Sequence, residues 1–375
     1  MNSTPELLDR RFAWNDLWQR SDCAWPTMRA EPLAQWIDTF SPRTAVRILM
    51  VEENGALLAA LPLVEERWGP LRIGRLPGGD LCSVGDLLVD RDWQHNDAGP
   101  LAMLVKAVAR LGWPMVRYDA VLPRTQRWQA FLSAAEKGDL HYLARHRGVT
   151  GVIAVRGTWQ AYFAGRSRNH RRQMRVVHKR ASEAGTLELR MLANPPIDQI
   201  ESLLRRGFEV EDRGWKGVGG SSTLREPGAY RFFVEQAKLL AVSGHLLLTF
   251  LELSNRSIAF EYGWLSKGVY HSLKVGFDEA YRHLSPGQLL RYRMMERLFA
   301  GGEVTCVDYL GPLSDATGKW TTDTYPVSRV VMANGKFGRA LLRIYRIARR
   351  HESAAAVAGE AEVRQIRFAE ESAQG

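Results

Sequence analysis

Residues 245–310 read HLLLTFLELSNRSIAFEYGWLSKGVYHSLKVGFDEAYRHLSPGQLLRYRMMERLFAGGEVTCVDYL, and they decide the fold. Three apolar runs, HLLLTFLEL, SIAFEYGWL and VYHSLKVGFD, are separated by the polar breaks Ser254-Asn255-Arg256 and Ser266-Lys267-Gly268. That pattern predicts strands joined by tight turns. A loop follows, then an amphipathic helix at GQLLRYRMMERLF and a strand at VTCVDYL. The same order recurs earlier. AVRILMVEENGALLAALPLVEERW (45–68) carries Asn54-Gly55 between two apolar runs, the strongest short hairpin signal. A strand at SVGDLLVD, a helix at GPLAMLVKAVARLGW and a strand at MVRYDAVL come next. Two halves with one order predict a divergent duplication. The expected architecture is α/β, with mixed central sheets flanked by helices.

The most informative local chemistry lies at YRHLSPGQLLRYRMMERLF. Ser285 suits an N-cap, Pro286 the first helical position, and Gln288 would complete a capping box. Leu284 and Leu289 stand where a hydrophobic staple closes such an entry. Gly287 removes side-chain bulk from the first turn. Unbonded N–H groups and the positive helix end make this terminus a candidate anion site over Leu284 to Gln288, with Arg282 or Arg291 adding charge. An ordinary capped helix is the competing reading. Upstream, period-two alternation places Tyr270, Ser272, Lys274, Gly276 and Asp278 on one strand face. A two-residue turn at Lys267-Gly268 would set Glu261 opposite Lys274.

The whole chain has 375 residues, 45 % hydrophobic and 25 % charged. That is globular composition and enough for two cores. The expected units are a degenerate domain at 1–150, an active domain at 151–335, a basic helix at 336–352 and a disordered tail at 353–375. The formal charge of +10 leans toward an anionic partner. Cys23, Cys82 and Cys306 are far apart and in no metal-ligand spacing, so no metal is expected. They read as reduced thiols of a cytoplasmic protein. The N-terminus lacks a signal-like apolar stretch. The longest apolar segment, AKLLAVSGHLLLTFLEL, is too broken to span a bilayer.

From Trp159 to about Pro326 the chain resembles the acetyltransferase family named for cellulose-biosynthesis proteins of the CelD/BcsL type. The matching pieces are TWQAYFAGRSRNHRRQMRVVHKRASEAG, the GWKG around Trp215, the FD...SPGQLL loop and DYLGPLSDATGKW. The family has the GNAT (acyl-CoA N-acyltransferase) fold. Its wider group includes Fem-type aminoacyltransferases, which carry two such domains. The resemblance implies transfer of an acetyl or longer acyl group from acyl-CoA to an amine of a sugar or cell-envelope precursor. The donor would lie on Arg282, Leu284, Ser285, Pro286, Gly287 and Gln288. Glu261 and Asp278 are candidates for acceptor binding or general base, and Lys274 for orienting the acceptor or stabilising the oxyanion. Tyr262, Tyr270 or Tyr309 would supply the proton to the leaving thiolate. Trp215 would wall the acceptor pocket, and Asp308 and Lys319 match the family's last motif. By residue type alone, Glu261 and Lys274 are equally a cross-strand ion pair, and Trp215 a core residue.

A rival reading starts from the basic run. Residues 151–180 hold eight Lys/Arg (Arg156, Arg166, Arg168, Arg171, Arg172, Arg175, Lys179, Arg180) and no acid. Met174, Val177, Ala181 and Ala184 share the opposite face, so the helix would dock and present a basic side. Such a stripe fits the phosphates of a tRNA-borne donor, as the Fem-type relatives imply, or nucleic acid in general. A GNAT fold kept as a scaffold is a further alternative. A second basic helix, FGRALLRIYRIARR, is a candidate for peripheral contact with an anionic membrane.

Overall fold

The computed structural model describes residues 1–79 and 85–348. The Cys82 expectation and that of a tail at 353–375 lie outside these residues. The first half opens with three helices, α1 (Thr4–Asp9), α2 (Arg11–Arg20) and α3 (Ala30–Phe40). The hairpin β1 (Val46–Glu53) and β2 (Ala56–Trp68) follows, with β3 (Leu71–Arg75) and the short β4 (Leu88–Val89). The half closes with α4 (Gly99–Ala109), β5 (Met115–Val121), α5 (Gln126–Lys137) and β6 (His141–Ala154).

The second half begins with α6 (Trp159–Ala164), α7 (Arg168–Ala184), β7 (Leu187–Ala193), α8 (Ile197–Asp212), the single turn α9 (Trp215–Val218) and α10 (Ala229–Val242). The meander β8 (Leu246–Leu253), β9 (Arg256–Ser266) and β10 (Val269–Phe277) comes next. After a 3-10 turn at Glu279–Leu284 the chain runs through α11 (Pro286–Gly301), β11 (Cys306–Pro312), α12 (Asp315–Gly318), β12 (Asp323–Ala333) and α13 (Gly335–Ala348).

The three hairpin turns form as the sequence dictates. Asn54-Gly55, Ser254-Asn255 and Lys267-Gly268 all have positive φ at both central residues, between 47° and 80°, which is the backbone twist a two-residue hairpin needs. Strand β8 is buried at every position because helices cover both of its faces. Its alternation divides the side chains between two cores. Leu246, Leu248 and Phe250 join α8 and α10, whereas Leu247, Leu251 and Leu253 join α7 and α11.

The two expected sheets are one. Twelve strands make a single mixed sheet in the order β1-β2-β3-β5-β12-β6-β11-β10-β9-β8-β7, with β4 beside β2. Its centre is an exchange. Strand β12, the last of the second half, pairs antiparallel with both β5 and β6. Strand β6, the last of the first half, pairs on its other side with β11. Residue 150 therefore falls inside β6. The halves also share a core, since Leu7, Trp14, Trp18 and Trp36 from α1–α3 pack in one cluster with Phe232, Tyr262 and Trp264. Lys267, at the tip of the β9–β10 hairpin, donates to the Trp18 and Ser21 carbonyls at 2.5 and 2.8 Å. It thereby caps the C-terminus of α2 with positive charge.

Each half contains one parallel pair between its helix-linked strands, β3 with β5 and β10 with β11. The second pair is short. Val269, Tyr270 and His271 face Cys306, Val307 and Asp308, and beyond them the strands separate. The gap between them positions the candidate site.

Candidate functional site

A cavity of about 240 Å³ opens where β10 and β11 part. Val275, Gly276 and Phe277 of β10 line one wall and Tyr309 of β11 the other. Gly287, Gln288 and Arg291 of α11 lie behind, with Ala316, Thr317 and Trp320. Glu211, Gly214, Trp215 and Lys216, from the end of α8 and α9, close the front. Glycines bring these pieces together. A Cβ on Gly276 would stand 2.6 Å from the Glu211 Cα, and one on Gly214 2.7 Å from the Phe277 carbonyl oxygen. Real side chains do not tolerate such contacts. The α8 terminus therefore rests directly on β10.

Behind the cavity lies a buried polar network. The Arg291 guanidinium pairs with the Glu261 carboxylate at 3.0 Å and donates to Ser272 Oγ at 3.1 Å. Tyr270 donates to Glu261 Oε1 at 2.9 Å. Glu261 and Tyr270 have no exposed surface. Burial pushes the Tyr270 hydroxyl well above its usual range, and the adjacent Glu261 charge adds to this. The Arg291 guanidinium also stands 4.7 Å from the centre of the Tyr309 ring. Tyr309 is 8 % exposed, and its hydroxyl has no hydrogen-bond partner among the described residues. Burial pushes that hydroxyl up to about 12. At the cavity mouth Lys216 Nζ donates to Glu211 Oε1 at 2.7 Å and to the Val275 carbonyl at 3.0 Å. Glu211 also accepts from the Thr223 N–H at 3.0 Å. Burial works against its charge, but Lys216 and these hydrogen bonds hold its carboxyl below the usual range.

Of the expected site residues, Trp215, Gly287, Gln288 and Tyr309 line this cavity. Trp215 is 63 % exposed, so it is a wall of the cavity and not core. Other expectations require correction. Glu261 and Lys274 do not face each other, because a bulge at Leu273 shifts the register. Lys274 pairs with Tyr262, and Glu261 with Val275. One extra residue sends the Lys274 side chain to the opposite face, 5.3 Å from the centre of the Phe233 ring. Tyr262 lies on that face too, donating to Gln236 at 3.0 Å. Asp278 is buried between Arg213 and Arg256, at 2.8 and 3.3 Å, and caps the 3-10 turn through the Ala280 N–H. A carboxylate engaged so fully is an anchor and not a free base. Asp308 accepts from Tyr325 and from the Leu310 N–H. Burial raises its carboxyl to about 6. Lys319 is exposed and does not line the cavity.

The helix entry differs as well. Ser285 adopts a left-handed conformation (φ 48°, ψ 57°), and its side chain makes no cap bond. The expected capping box is absent because Gln288 is engaged elsewhere, accepting from Trp320 Nε1 at 2.8 Å. Leu284 and Pro286 are buried, and Arg282 pairs outward with Glu279 at 3.3 Å. Pro286 has no N–H, and those of Gln288 and Leu289 bond back to Ser285. The Gly287 N–H is the first-turn donor left at the cavity, unclaimed among the described residues.

The sequence reading missed Glu211, Thr317 and Trp320, and gave Arg291 only a peripheral part. The signal was in plain view. Trp320 and Thr317 belong to DATGKW, and Glu211 to FEVEDRGWKG. All four stretches that carried the resemblance in fact converge here. Tyr162 and Arg166, from the TWQAYFAGR stretch, donate to the Trp320 carbonyl, and the His170 ring meets the Trp320 indole edge-on at 4.5 Å. Trp320 holds Gln288 of the SPGQ loop, and Lys216 of GWKG holds β10. Burial pushes His170 down to about 4, so the imidazole is neutral and packs as an aromatic.

A second, open groove adjoins the α11 entry. It is lined by Asn169, Arg172, Gln173, Val176, Val177 and Arg180 of α7, with His283 and Ser285. Met174, Val177 and Ala181 are buried beneath it, so α7 docks and presents basic groups as expected. Among the described residues no His/Cys/Asp/Glu group has metal-holding geometry. No helix there is long and apolar enough to cross a membrane.

Residues 168–318 match the family described as the acetyltransferase (GNAT) domain. No curated protein matches the chain. Among solved structures, FemX is similar at 10 % identity and TM-score 0.59, covering 89 % of this chain and 98 % of its own. A conserved protein of unknown function from Bacteroides thetaiotaomicron is similar at 12 % identity and TM-score 0.54, covering 88 % and 97 %. L-PGS from Bacillus licheniformis is similar at 10 % identity and TM-score 0.50, covering 90 % and 95 %. At these identities the likeness is one of fold. The chain is an α/β protein built on one mixed sheet flanked by helices, and residues 168–318 of its second half match a GNAT acetyltransferase domain.

Proposed function

We propose that the second unit, residues 151–335, is an N-acyltransferase of the CelD/BcsL type that takes its acyl group from acyl-CoA, acetyl-CoA being the simplest. The first unit, 1–150, would be its degenerate, non-donor-binding partner. The observation that carries this is the gap between β10 and β11. It combines a channel floored by Gly276 and Gly287, a free helix N-terminal N–H, and a buried tyrosine hydroxyl without a partner. A thioester threaded through the gap would bring its phosphates toward the α11 entry, where the backbone and helix dipole favour anions. The acceptor amine attacks the carbonyl carbon, a C–N bond forms and the C–S bond breaks. Tyr309 gives its proton to the leaving thiolate, and water relays the surplus proton of the amine back to the Tyr309 phenolate. Arg291, held by Glu261, adds positive charge beside the reacting carbonyl. With Glu211, Trp215 and Lys216 at the mouth, the acceptor side is polar with one aromatic wall. This suits an amine on a sugar or envelope precursor in the cytoplasm.

Thermal unfolding with acetyl-CoA tests the reading. Saturation near 100 times Kd stabilises the native state by about 2.7 kcal/mol. Gly287→Trp should fold, because the nearest atom to a Cβ there lies 3.7 Å away, yet lose the shift by filling the channel. Once an acceptor is in hand, Tyr309→Phe should lower kcat by about 10²–10⁴ while leaving the donor-induced shift intact. An undiminished kcat would remove Tyr309 from the chemistry. No shift with any acyl-CoA would sink the donor assignment.

The α7 groove favours a second reading, a Fem-like transferase with an aminoacyl-tRNA donor. Arg172 and Arg180 flank the α11 entry with no acid among the groove residues, a surface suited to phosphates on a large carrier. A tRNA-induced shift without one from acyl-CoA would select it.

A further inference from the structure

We propose that α13 holds the protein against an anionic lipid surface, lying in the plane of the headgroups. The helix GKFGRALLRIYRIA has three stripes. Gly338, Leu342 and Tyr345 face inward. A Cβ on Gly338 would stand 2.0 Å from the Pro114 carbonyl oxygen, and the Tyr345 ring packs edge-on against Trp68 at 5.6 Å. The helix is therefore pinned to the body in one orientation.

Phe337, Ile344 and Ile347, spaced seven and three apart on one line of the helix, point away from the body. They are 59 %, 62 % and 63 % exposed. Water is a poor environment for three large apolar side chains on one helix face. The adjacent stripe, shifted by one residue, is Lys336, Arg339, Arg343 and Arg346. Arg339 pairs with Asp139 at 3.5 Å. Among the described residues the other three have no carboxylate partner, and the helix contains no acidic residue.

The charge decides between occupants. A second copy would bring the same basic stripe against itself. A bilayer with anionic headgroups meets both needs, accepting the apolar stripe at the acyl boundary and pairing with the basic one. Four turns cannot span, so the helix lies on the surface. The inference does not depend on the acyl-transfer reading, because α13 takes no part in that site.

Vesicle flotation of the full chain tests it, with phosphatidylcholine vesicles made with and without phosphatidylglycerol. The full chain should float with the anionic vesicles and not with the neutral ones, and added salt should release it. The triple variant Phe337→Ser, Ile344→Ser, Ile347→Ser and the double variant Arg343→Glu, Arg346→Glu should each lower partition by roughly tenfold or more. All five positions are exposed, so an unchanged thermal transition is expected and separates lost binding from lost folding. Equal flotation of wild type and both variants would overturn the proposal. So would flotation gained only on removing residues 353–375, which assigns the face to the tail. A wild-type dimer that the triple variant makes monomeric, without vesicle binding, would overturn it in favour of self-association.

Discussion

Asp308 shows how an expected site residue can lie beside the cavity without lining it. Its carboxylate sits on β11 under Tyr325 and the Leu310 N–H, 8 % exposed, where it stabilises the left-handed bend at Leu310 (φ 56°). That bend interrupts the β11–β6 pairing between Asp308 and Pro312, directly after Tyr309. Burial raises the Asp308 carboxyl from an ordinary 3.8 to about 6, so folding favours its protonated form. Its contribution is complete below pH about 4 and is lost as pH rises through about 6, a change on the order of 3 kcal/mol. Asp308→Asn removes this dependence. The stability of the variant relative to wild type should therefore increase by about that amount between pH 4 and pH 7, measured by urea unfolding across the range. A difference that stays flat would show the carboxylate to be ionised throughout. Glu261 makes the complementary point. It does not line the cavity and reaches it only through its pair with Arg291. One bulged residue, Leu273, exchanges Lys274 for Arg291, thirty positions downstream of Glu261, and no periodicity announces a bulge.

Elements were legible where the signal was local. Both Asn54-Gly55 and Lys267-Gly268 formed the turns their chemistry requires. The start of α11 was legible in position and not in detail. Pro286 opens the helix as expected, yet Ser285 turns left-handed and makes no cap bond, and Gln288 accepts from Trp320 instead of closing the box. The close seat of α8 on β10 was invisible, since it depends on what Gly276 meets across space. Gly276→Ala tests that seat. Its Cβ would press on backbone and side-chain atoms of Glu211 at 2.6 Å, so α8 must retreat or β10 must bend. Overpacking of this kind costs about 1–3 kcal/mol. Because Glu211 and Gly276 both line the cavity, the variant should also weaken donor binding, read by calorimetric titration. Wild-type stability and affinity together would mean that α8 is loosely seated and that the cavity mouth is not set by this contact.

At the scale of the whole molecule, each half holds one parallel strand pair, as a repeated order of elements would give, but the exchange at the centre of the sheet was not legible. Order and turn chemistry suggest two halves, but the pairing of β12 with β5 joins Val331 to Arg117 across more than two hundred residues, and nothing local encodes such a partner. The exchange has a thermodynamic consequence. Remove β12 and both β5 and β6 lose a neighbour in the middle of the sheet, and the helices α1–α3 share their core with α8 and α10. The two halves should therefore unfold together, although chains of this length commonly unfold domain by domain. Phe131→Ala discriminates. Phe131 has no exposed surface and sits in the core of the first half, where such a truncation costs about 4 kcal/mol. With an unfolding entropy near 2.1 cal/mol/K per residue, a unit of about 350 residues shifts by about 5 °C, and a lone half of about 150 residues by about 13 °C. Scanning calorimetry should show one peak moving by the smaller amount. Two peaks, one displaced by the larger amount and the other unmoved, would mean that the central strand exchange does not couple the halves and that each is stable without the other.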